Sequence, residues 1–225
     1  MNNGFNCIKG AIFDCDGTLL DSLGAWRSLE GEVARQAGVT VTPEEHKLFT
    51  TFTIPEVARY FHEEYGFAKS VEAVVAIMDE YMMSYYENAH LLPGAQAILE
   101  SCARGNVKMT MASSSKAEFL QAGAKATGIA DYFCAIISVD EVGSSKREPA
   151  VYNHARELMG TPLESTWGFE DSLYAMDTLA QAGYPVLGLY DEAHGVPKEE
   201  VEKRADLSAP SLVGLEVADG VLVKR

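Results

Sequence analysis

Short apolar runs alternate along most of the chain with segments whose apolar residues recur at helical spacing. Five of these runs are candidate strands, because each is short and bounded by polar or charged positions. They are Ile8–Phe13, Val107–Ala112, Ala135–Ser138, Thr166–Phe169 and Val186–Tyr190. Apolar strands that alternate with amphipathic helices are typical of a parallel sheet buried on both faces. The pattern predicts an α/β fold with a Rossmann-like parallel sheet core and helices on both faces.

The stretch between the first and second candidate strands departs from this alternation and predicts helices only. Thr42-Pro-Glu-Glu45 and Thr53-Ile-Pro-Glu56 are capping-box sequences with proline in the first turn. Apolar residues at i, i+3, i+4 and i+7 follow the second of them, at Ile54, Val57, Ala58 and Phe61. We therefore expect a helical domain at residues 23–89, inserted into a core domain made of residues 1–22 and 90–225.

Polar residues whose side chains could take part in catalysis or binding follow four of the candidate strands. Ligands of open parallel sheets bind beyond the carboxyl ends of the strands, so these residues are expected to meet at one edge. They are Asp14 and Asp16 after the first strand, Ser113, Ser114 and Ser115 after the second, Lys146 beyond the third, and Glu170 and Asp171 after the fourth.

Such a set of groups suits phosphoryl transfer. Clustered carboxylates are costly unless a cation shares them, and hard oxygen ligands suit Mg²⁺. One carboxylate can attack phosphorus to form an aspartyl-phosphate, while a second carboxyl group protonates the leaving oxygen and later activates water. A lysine and a hydroxyl can hold the remaining phosphate oxygens as negative charge develops.

Four segments resemble the motifs of the haloacid dehalogenase superfamily, in the order found in that family. FDCDGTLLDS resembles D-x-D-G-T-L-x-D-S, and MTMASSSK resembles an apolar strand ending in Ser or Thr. Lys146, followed by Pro149 and Tyr152, resembles K-P-x-P-x-x-[YF], and GFEDS resembles the acidic pair before a helix. The predicted helical insert matches the position of the small helical cap in the β-phosphoglucomutase and phosphatase-like members.

The resemblance implies a role for each matched residue. Asp14 is expected as nucleophile and metal ligand, and Asp16 as general acid and base with its backbone carbonyl on the metal. Phosphate binding is expected from Ser113, Ser114 and Lys146, and further Mg²⁺ ligation from Glu170 and Asp171. The third motif has KREP where the family pattern has K-P-x-P, which leaves Lys116 as the alternative phosphate-binding cation.

Three functions fit this pattern to different degrees. The leading hypothesis is a Mg²⁺-dependent phosphatase that hydrolyses a phosphomonoester of a small metabolite. The first alternative is a sugar-phosphate mutase, whose family members carry a histidine early in the first cap helix, where Trp26 stands here. The third is a non-catalytic phosphate-binding or receiver-like protein, against which the helical insert argues.

Composition narrows the partners. The 225 residues include 33 acidic and 18 basic ones, and the net charge of −15 disfavours both nucleic acid and anionic membranes as partners. The four cysteines have no metal-site spacing, which favours free thiols in a reducing compartment. No signal-peptide pattern is present, so the expected location is the cytoplasm. The expected partner is a phosphorylated small molecule, and the sequence indicates no oligomeric state.

One loop of the predicted helical domain is the candidate for substrate selection. It lies before the second capping box and combines aromatic rings with hydroxyl groups, which suit a small polar phosphate ester. Its residues are Phe49, Thr50, Thr51, Phe52 and Thr53.

Overall fold

Two units make up the chain in a computed structural model that describes residues 7–49 and 52–225. One unit spans Met1–Asp21 and Ala89–Arg225, and the other spans Ser22–Asn88. Thr50 and Thr51, two residues of the candidate selection loop, lie outside the described residues.

A six-stranded sheet of parallel strands forms the centre of the first unit, in the order β3-β2-β1-β4-β5-β6. The five predicted strands are present with small shifts at their ends, and the α/β fold class is confirmed. A sixth strand was not predicted, because its three residues are too short to show a pattern. The strands are β1 Gly10–Phe13, β2 Lys108–Ser113, β3 Ala135–Ser138, β4 Thr166–Glu170, β5 Val186–Leu189 and β6 Leu207–Ala209.

Strand β1 lies at the middle of this sheet and is buried on both faces. Its consecutive residues Ala11, Ile12 and Phe13 are 0–2% exposed although their side chains alternate between faces. Ile12 packs in one core cluster with Val151 and Met176. Burial of both faces explains why the strand sequence is continuously apolar and shows no polar alternation.

Helices follow most of the strands and cover the sheet. In chain order they are α5 Ala95–Arg104, α6 Ala117–Ala126, α7 Val139–Val142, α8 Ala150–Met159, α9 Leu173–Gln181 and α10 Lys198–Glu202.

The end of the chain forms an antiparallel hairpin that the apolar pattern did not predict. Its strands are β7 Leu215–Ala218 and β8 Val221–Lys224. The Val217 N–H donates to the Ser101 hydroxyl of α5 at 2.8 Å. This contact ties the hairpin to the core unit through residues 116 positions apart.

The described residues of the second unit form four helices: α1 Leu23–Ala37, α2 Pro43–Phe49, α3 Ile54–Glu63 and α4 Val71–Tyr86. Both predicted capping boxes are formed. The backbone N–H of Thr42 donates to the Glu45 carboxylate at 2.8 Å, and that of Thr53 to Glu56 at 2.7 Å. Each bond satisfies a donor that the start of a helix leaves without a partner. The role of this unit as a substrate cap stays a prediction.

Across the described part of the chain, no helix combines the length and the apolar character that crossing a bilayer demands.

Gly94, where the chain returns to the core unit, provides a test of this packing. Its φ is 88°, and a β-carbon there would lie 2.3 Å from the backbone carbon of Leu212 and 2.4 Å from the Val213 nitrogen. We expect Gly94→Ala to lower the free energy of unfolding by about 3 kcal/mol or more, because strain and a backbone clash add. Gly128→Ala is the matched control: its φ is also positive, at 72°, but nothing lies within 4 Å of the added carbon. It should lose only ~1–2 kcal/mol in chemical denaturation, and equal losses for the two variants would contradict the packing around Gly94.

Candidate active site

The loop after β1 starts with a carboxylate that is held against the neighbouring strand. The Asp14 N–H donates to the Phe169 carbonyl at 3.0 Å, which continues the β1–β4 ladder by one residue. Beneath it the Phe13 and Phe169 rings stack with centroids 4.3 Å apart. Asp14 is only 6% exposed, so its carboxylate lies in a low-dielectric position at the carboxyl edge of the sheet.

Lys146 is the buried cation of the site. Its Nζ donates to Asp14 Oδ1 at 2.5 Å and to Glu170 Oε1 at 2.7 Å, and the residue is 3% exposed. The loop between α7 and α8 therefore reaches the ends of β1 and β4. The alternative cation, Lys116, lies at the start of α6 with its Nζ 5.8 Å from the Phe119 ring centroid. Of the two lysines, Lys146 is the one that contacts Asp14.

Three acidic side chains converge around this lysine. Asp14, Glu170 and Asp171 each bring one carboxylate oxygen within 4.8 Å of the others. Glu170 Oε1 also accepts a hydrogen bond from the Tyr152 hydroxyl at 3.0 Å. Glu170 Oε2 is buried and has no hydrogen-bond partner among the described residues.

Electrostatics favour a further cation at this cluster. Burial raises the pKa of Asp14 to about 7, although Lys146 acts to lower it. Burial, with the charge of Asp14, likewise raises the pKa of Asp171 to about 7. One ammonium thus compensates only part of the cost of burying these carboxylates. The oxygen ligands, their spacing and the unsatisfied Glu170 oxygen all fit a small divalent cation.

Asp16 lies on the β2 side of the site. Its Oδ2 accepts hydrogen bonds from the Ser115 hydroxyl at 2.6 Å and from the Ser113 hydroxyl at 3.3 Å. The Ser115 backbone N–H donates to Ser113 Oγ at 3.1 Å, and the Ser138 hydroxyl to the Ser115 carbonyl at 2.8 Å. The loop after β2 therefore holds the Asp16 carboxylate and presents Ser113 beside it.

The structure thus brings most of the predicted residues together within the core unit. Ser114, also predicted to bind phosphate, is exposed, and its side chain hydrogen-bonds to Tyr174. Two contacts were not foreseen: the Ser115 hydroxyl on Asp16 and the Tyr152 hydroxyl on Glu170. The tyrosine spacing in the third motif signals the second contact, whereas nothing in the sequence distinguishes Ser115 from its serine neighbours.

The candidate selection loop belongs to the helical unit, and its described residues make contacts within that unit. Phe49 is 5% exposed, with its ring centroid 5.6 Å from that of Phe61 and 6.2 Å from that of Phe52. Thr53 serves as the helix cap of α3. The role of this loop in substrate selection stays a prediction.

A separate cavity of about 760 Å³ lies at the other edge of the sheet. Its walls include Lys9, Ser165 and Pro185, which directly precede β1, β4 and β5. None of the predicted site residues lines it. The chemistry described above therefore belongs to the carboxyl edge and not to this cavity.

Comparison with known proteins agrees with this arrangement. The model of the haloacid dehalogenase-like hydrolase family matches residues 8–183. The chain belongs to this family. The predicted family and the predicted enzyme class of hydrolase are thereby confirmed.

Several members of the family are similar over most of this chain. Hexitol phosphatase B of Escherichia coli (strain K12) is 26% identical over 172 residues, which cover 75% of this chain and 78% of that protein. A phosphoglycolate phosphatase of Yersinia pseudotuberculosis is 28% identical over 193 residues, or 82% of each chain. The crystal structure of CbbY from Rhodobacter sphaeroides in complex with phosphate has a TM-score of 0.73 at 21% identity, covering 91% of this chain and 95% of that one. That likeness shows a common fold.

Mg²⁺ should stabilise this hydrolase through the acidic cluster. At a free concentration a hundredfold above the dissociation constant, a ligand of the folded state adds ~2.7 kcal/mol, which corresponds to a Tm increase of about 5–10 °C for a chain of this size. We expect Asp171→Asn to remove most of this increase, as measured by calorimetry with Mg²⁺ and with EDTA.

The control is Asp131→Asn, an exposed aspartate outside the cluster, which should keep the full response to Mg²⁺. An Asp171→Asn protein that responds to Mg²⁺ as the wild type does would contradict a metal site at this cluster.

Proposed function

We propose that this hydrolase is a Mg²⁺-dependent phosphatase that removes phosphate from a small phosphorylated metabolite through an aspartyl-phosphate intermediate. The observation that carries the proposal is the buried contact of Lys146 with Asp14, 2.5 Å from Nζ to Oδ1, inside a cluster of three carboxylates. The names of the related proteins, which include hexitol phosphatase and phosphoglycolate phosphatase, support the same reaction class.

Asp14 is the proposed nucleophile. Its backbone is fixed by the bond to Phe169, and the Lys146 ammonium favours its charged form against the effect of burial. A carboxylate oxygen attacks phosphorus, the bond from phosphorus to the leaving oxygen breaks, and an acyl phosphate forms. Water then attacks this phosphorus, which releases inorganic phosphate and restores the carboxylate. Lys146 and the Ser113 hydroxyl stabilise the charge on the phosphate oxygens.

Asp16 is the proposed general acid and base. Protonated, it delivers its proton to the leaving oxygen in the first step, and as a carboxylate it takes a proton from the attacking water in the second. The hydroxyl groups of Ser115 and Ser113 hold Oδ2 on the β2 side. These two bonds fix the orientation of the Asp16 carboxylate beside the site.

Asp14, Glu170 and Asp171 are the proposed side-chain ligands of Mg²⁺, with the Asp16 carbonyl as a fourth ligand. Mg²⁺ held by these residues would neutralise charge on the substrate phosphate. Glu170 bonds to Lys146 and Tyr152 through Oε1, so the buried Oε2 would be the atom that it offers to the metal.

The helical unit is proposed as the cap that selects the substrate. Caps of this kind exclude water and admit only molecules that fit. Phe52 and Thr53, with the neighbouring Phe49, Thr50 and Thr51, are the proposed selection loop. The free state of Cys7, Cys15, Cys102 and Cys134 supports a reducing compartment such as the cytoplasm.

Asp14→Asn should abolish turnover. An amide cannot form the acyl phosphate, so the rate of phosphate release should fall by about a thousandfold or more, as for other lost nucleophiles. The measurement is phosphate release from a panel of about a hundred phosphorylated metabolites with Mg²⁺, and Asp131→Asn serves as the active control. Phosphate release by Asp14→Asn at more than a tenth of the wild-type rate would exclude Asp14 as the nucleophile.

The same panel separates the phosphatase from the sugar-phosphate mutase. A mutase would convert hexose 1-phosphates into isomers with little free phosphate, whereas we expect free phosphate to account for the substrate consumed. Trp26, at the position where the mutases carry histidine, donates its indole N–H to the Tyr86 hydroxyl at 3.2 Å. An indole cannot exchange protons with a sugar hydroxyl as an imidazole can, which favours hydrolysis.

A further inference from the structure

Arg147 directly follows the buried lysine and departs from the family motif, which has proline at this position. Its guanidinium carbon lies 4.6 Å from the centroid of the Tyr174 ring. A guanidinium on an aromatic face is held by the ring quadrupole while its edge N–H groups remain available. Both residues belong to the core unit and are exposed, unlike Lys146.

Tyr174 links the segments that follow β2 and β4. It lies in the first turn of α9, which follows β4, and its hydroxyl hydrogen-bonds to Ser114, which follows β2. In the sheet, β2 and β4 flank β1, the strand that Asp14 follows. The charges of Lys146, Glu170 and Asp14 act on the Tyr174 hydroxyl. Tyr174 and Arg147 therefore form part of the rim of the candidate active site.

The Arg147 guanidinium has no carboxylate partner among residues 7–49 and 52–225. The other contact of this residue is the bond from its backbone N–H to Ser145 Oγ at 3.3 Å. The chain carries 33 acidic and 18 basic residues, so a positive charge that no carboxylate neutralises matters for the binding of an anion. It is available for an anion brought from outside.

We propose that Arg147, held on the Tyr174 ring, binds a second anionic group of the substrate, a carboxylate or a further phosphate on the leaving group. This inference rests on the proposed phosphatase function and narrows its substrates to esters with an anionic leaving group. Lys146 is buried beside the nucleophile, and Arg147 is exposed at the rim. The two neighbouring cations thus serve two groups of one substrate: the transferred phosphate and an oxyanion at the outer end. Planar guanidinium groups pair with such oxyanions through two hydrogen bonds.

Matched substrate pairs test this inference. 2-Phosphoglycolate carries a carboxylate where ethyl phosphate has a methyl group. Glucose 1,6-bisphosphate carries a second phosphate that glucose 6-phosphate lacks. We expect the wild type to favour the anionic member of at least one pair in kcat/KM. Arg147→Gln should reduce that preference by about 10- to 100-fold, the usual effect of a lost charge-assisted hydrogen bond. Its activity on the neutral member should stay within about twofold, because Arg147 makes no contact with the transferred phosphate.

Three further variants separate charge from position. Arg147→Lys keeps the positive charge but not the planar set of N–H donors of the guanidinium group, so it should retain part of the preference. Tyr174→Leu should reduce the preference by about 2- to 5-fold, the usual effect of a lost exposed cation–π contact. Arg104→Gln removes an arginine with a side-chain exposure of 70% at the far end of α5 and should leave the preference unchanged.

Equal losses on both members of a pair, or no loss, in Arg147→Gln would overturn the inference while the phosphatase proposal stands. Binding of the same pairs to Asp14→Asn protein, measured by titration calorimetry, provides a reading that needs no turnover. The inference is supported if the anionic member binds more tightly and Arg147→Gln abolishes this difference. This holds even if the wild type hydrolyses no ester, because the absence of hydrolysis contradicts only the phosphatase proposal. Equal binding of both members overturns the inference.

Discussion

The ion pair between Lys146 and two buried carboxylates is the constraint on which the rest of the site depends. Its ammonium lies 2.5 Å from Asp14 and 2.7 Å from Glu170. An isolated charge at such a buried position is costly, and removal of one partner leaves the others uncompensated. Three acids and one lysine leave an excess of negative charge. Burial, together with the charge of neighbouring carboxylates, raises the pKa values of Asp14 and Asp171. The oxygen atoms of the same cluster have the chemistry and spacing that suit a divalent cation.

The order and register of the strands determine which charged side chains lie close together at this site. Phe13 pairs in register with Met111 on one side and with Phe169 on the other, so the next residues of three strands emerge side by side. A slip of one residue in this register would turn every side chain to the opposite face and separate Asp14 from Glu170. The buried apolar strand residues therefore position the carboxylates that are proposed to act in catalysis, although none of these apolar residues has a polar group at the site.

How far the sequence predicts this structure depends on how local each signal is. The capping boxes at Thr42 and Thr53 involve residues three apart, and both formed as predicted. Strand β6 was missed because Leu207–Ala209 is too short for a period to emerge, and its position depends on pairing with β5. The convergence of the acids was predictable because parallel strands present their carboxyl ends at one edge. The contact of Ser115 with Asp16, across 99 positions, carries no local signal and required coordinates.

The net charge of the whole molecule opposes substrate binding, because a chain of net charge −15 repels the anionic esters that are its proposed substrates. Long-range repulsion between exposed charges is screened within about 8–10 Å at physiological salt, whereas buried groups at the site act on a bound ligand with little screening. Selection of the substrate is therefore decided at contact distance. Two neighbouring residues supply positive charge near the carboxyl edge of the sheet. Lys146 is buried beside Asp14, and Arg147 is exposed on the Tyr174 ring. A ligand with a single anionic group can pair with only one of these two cations, which is the physical basis for the proposed preference for a ligand with negative charge at both ends.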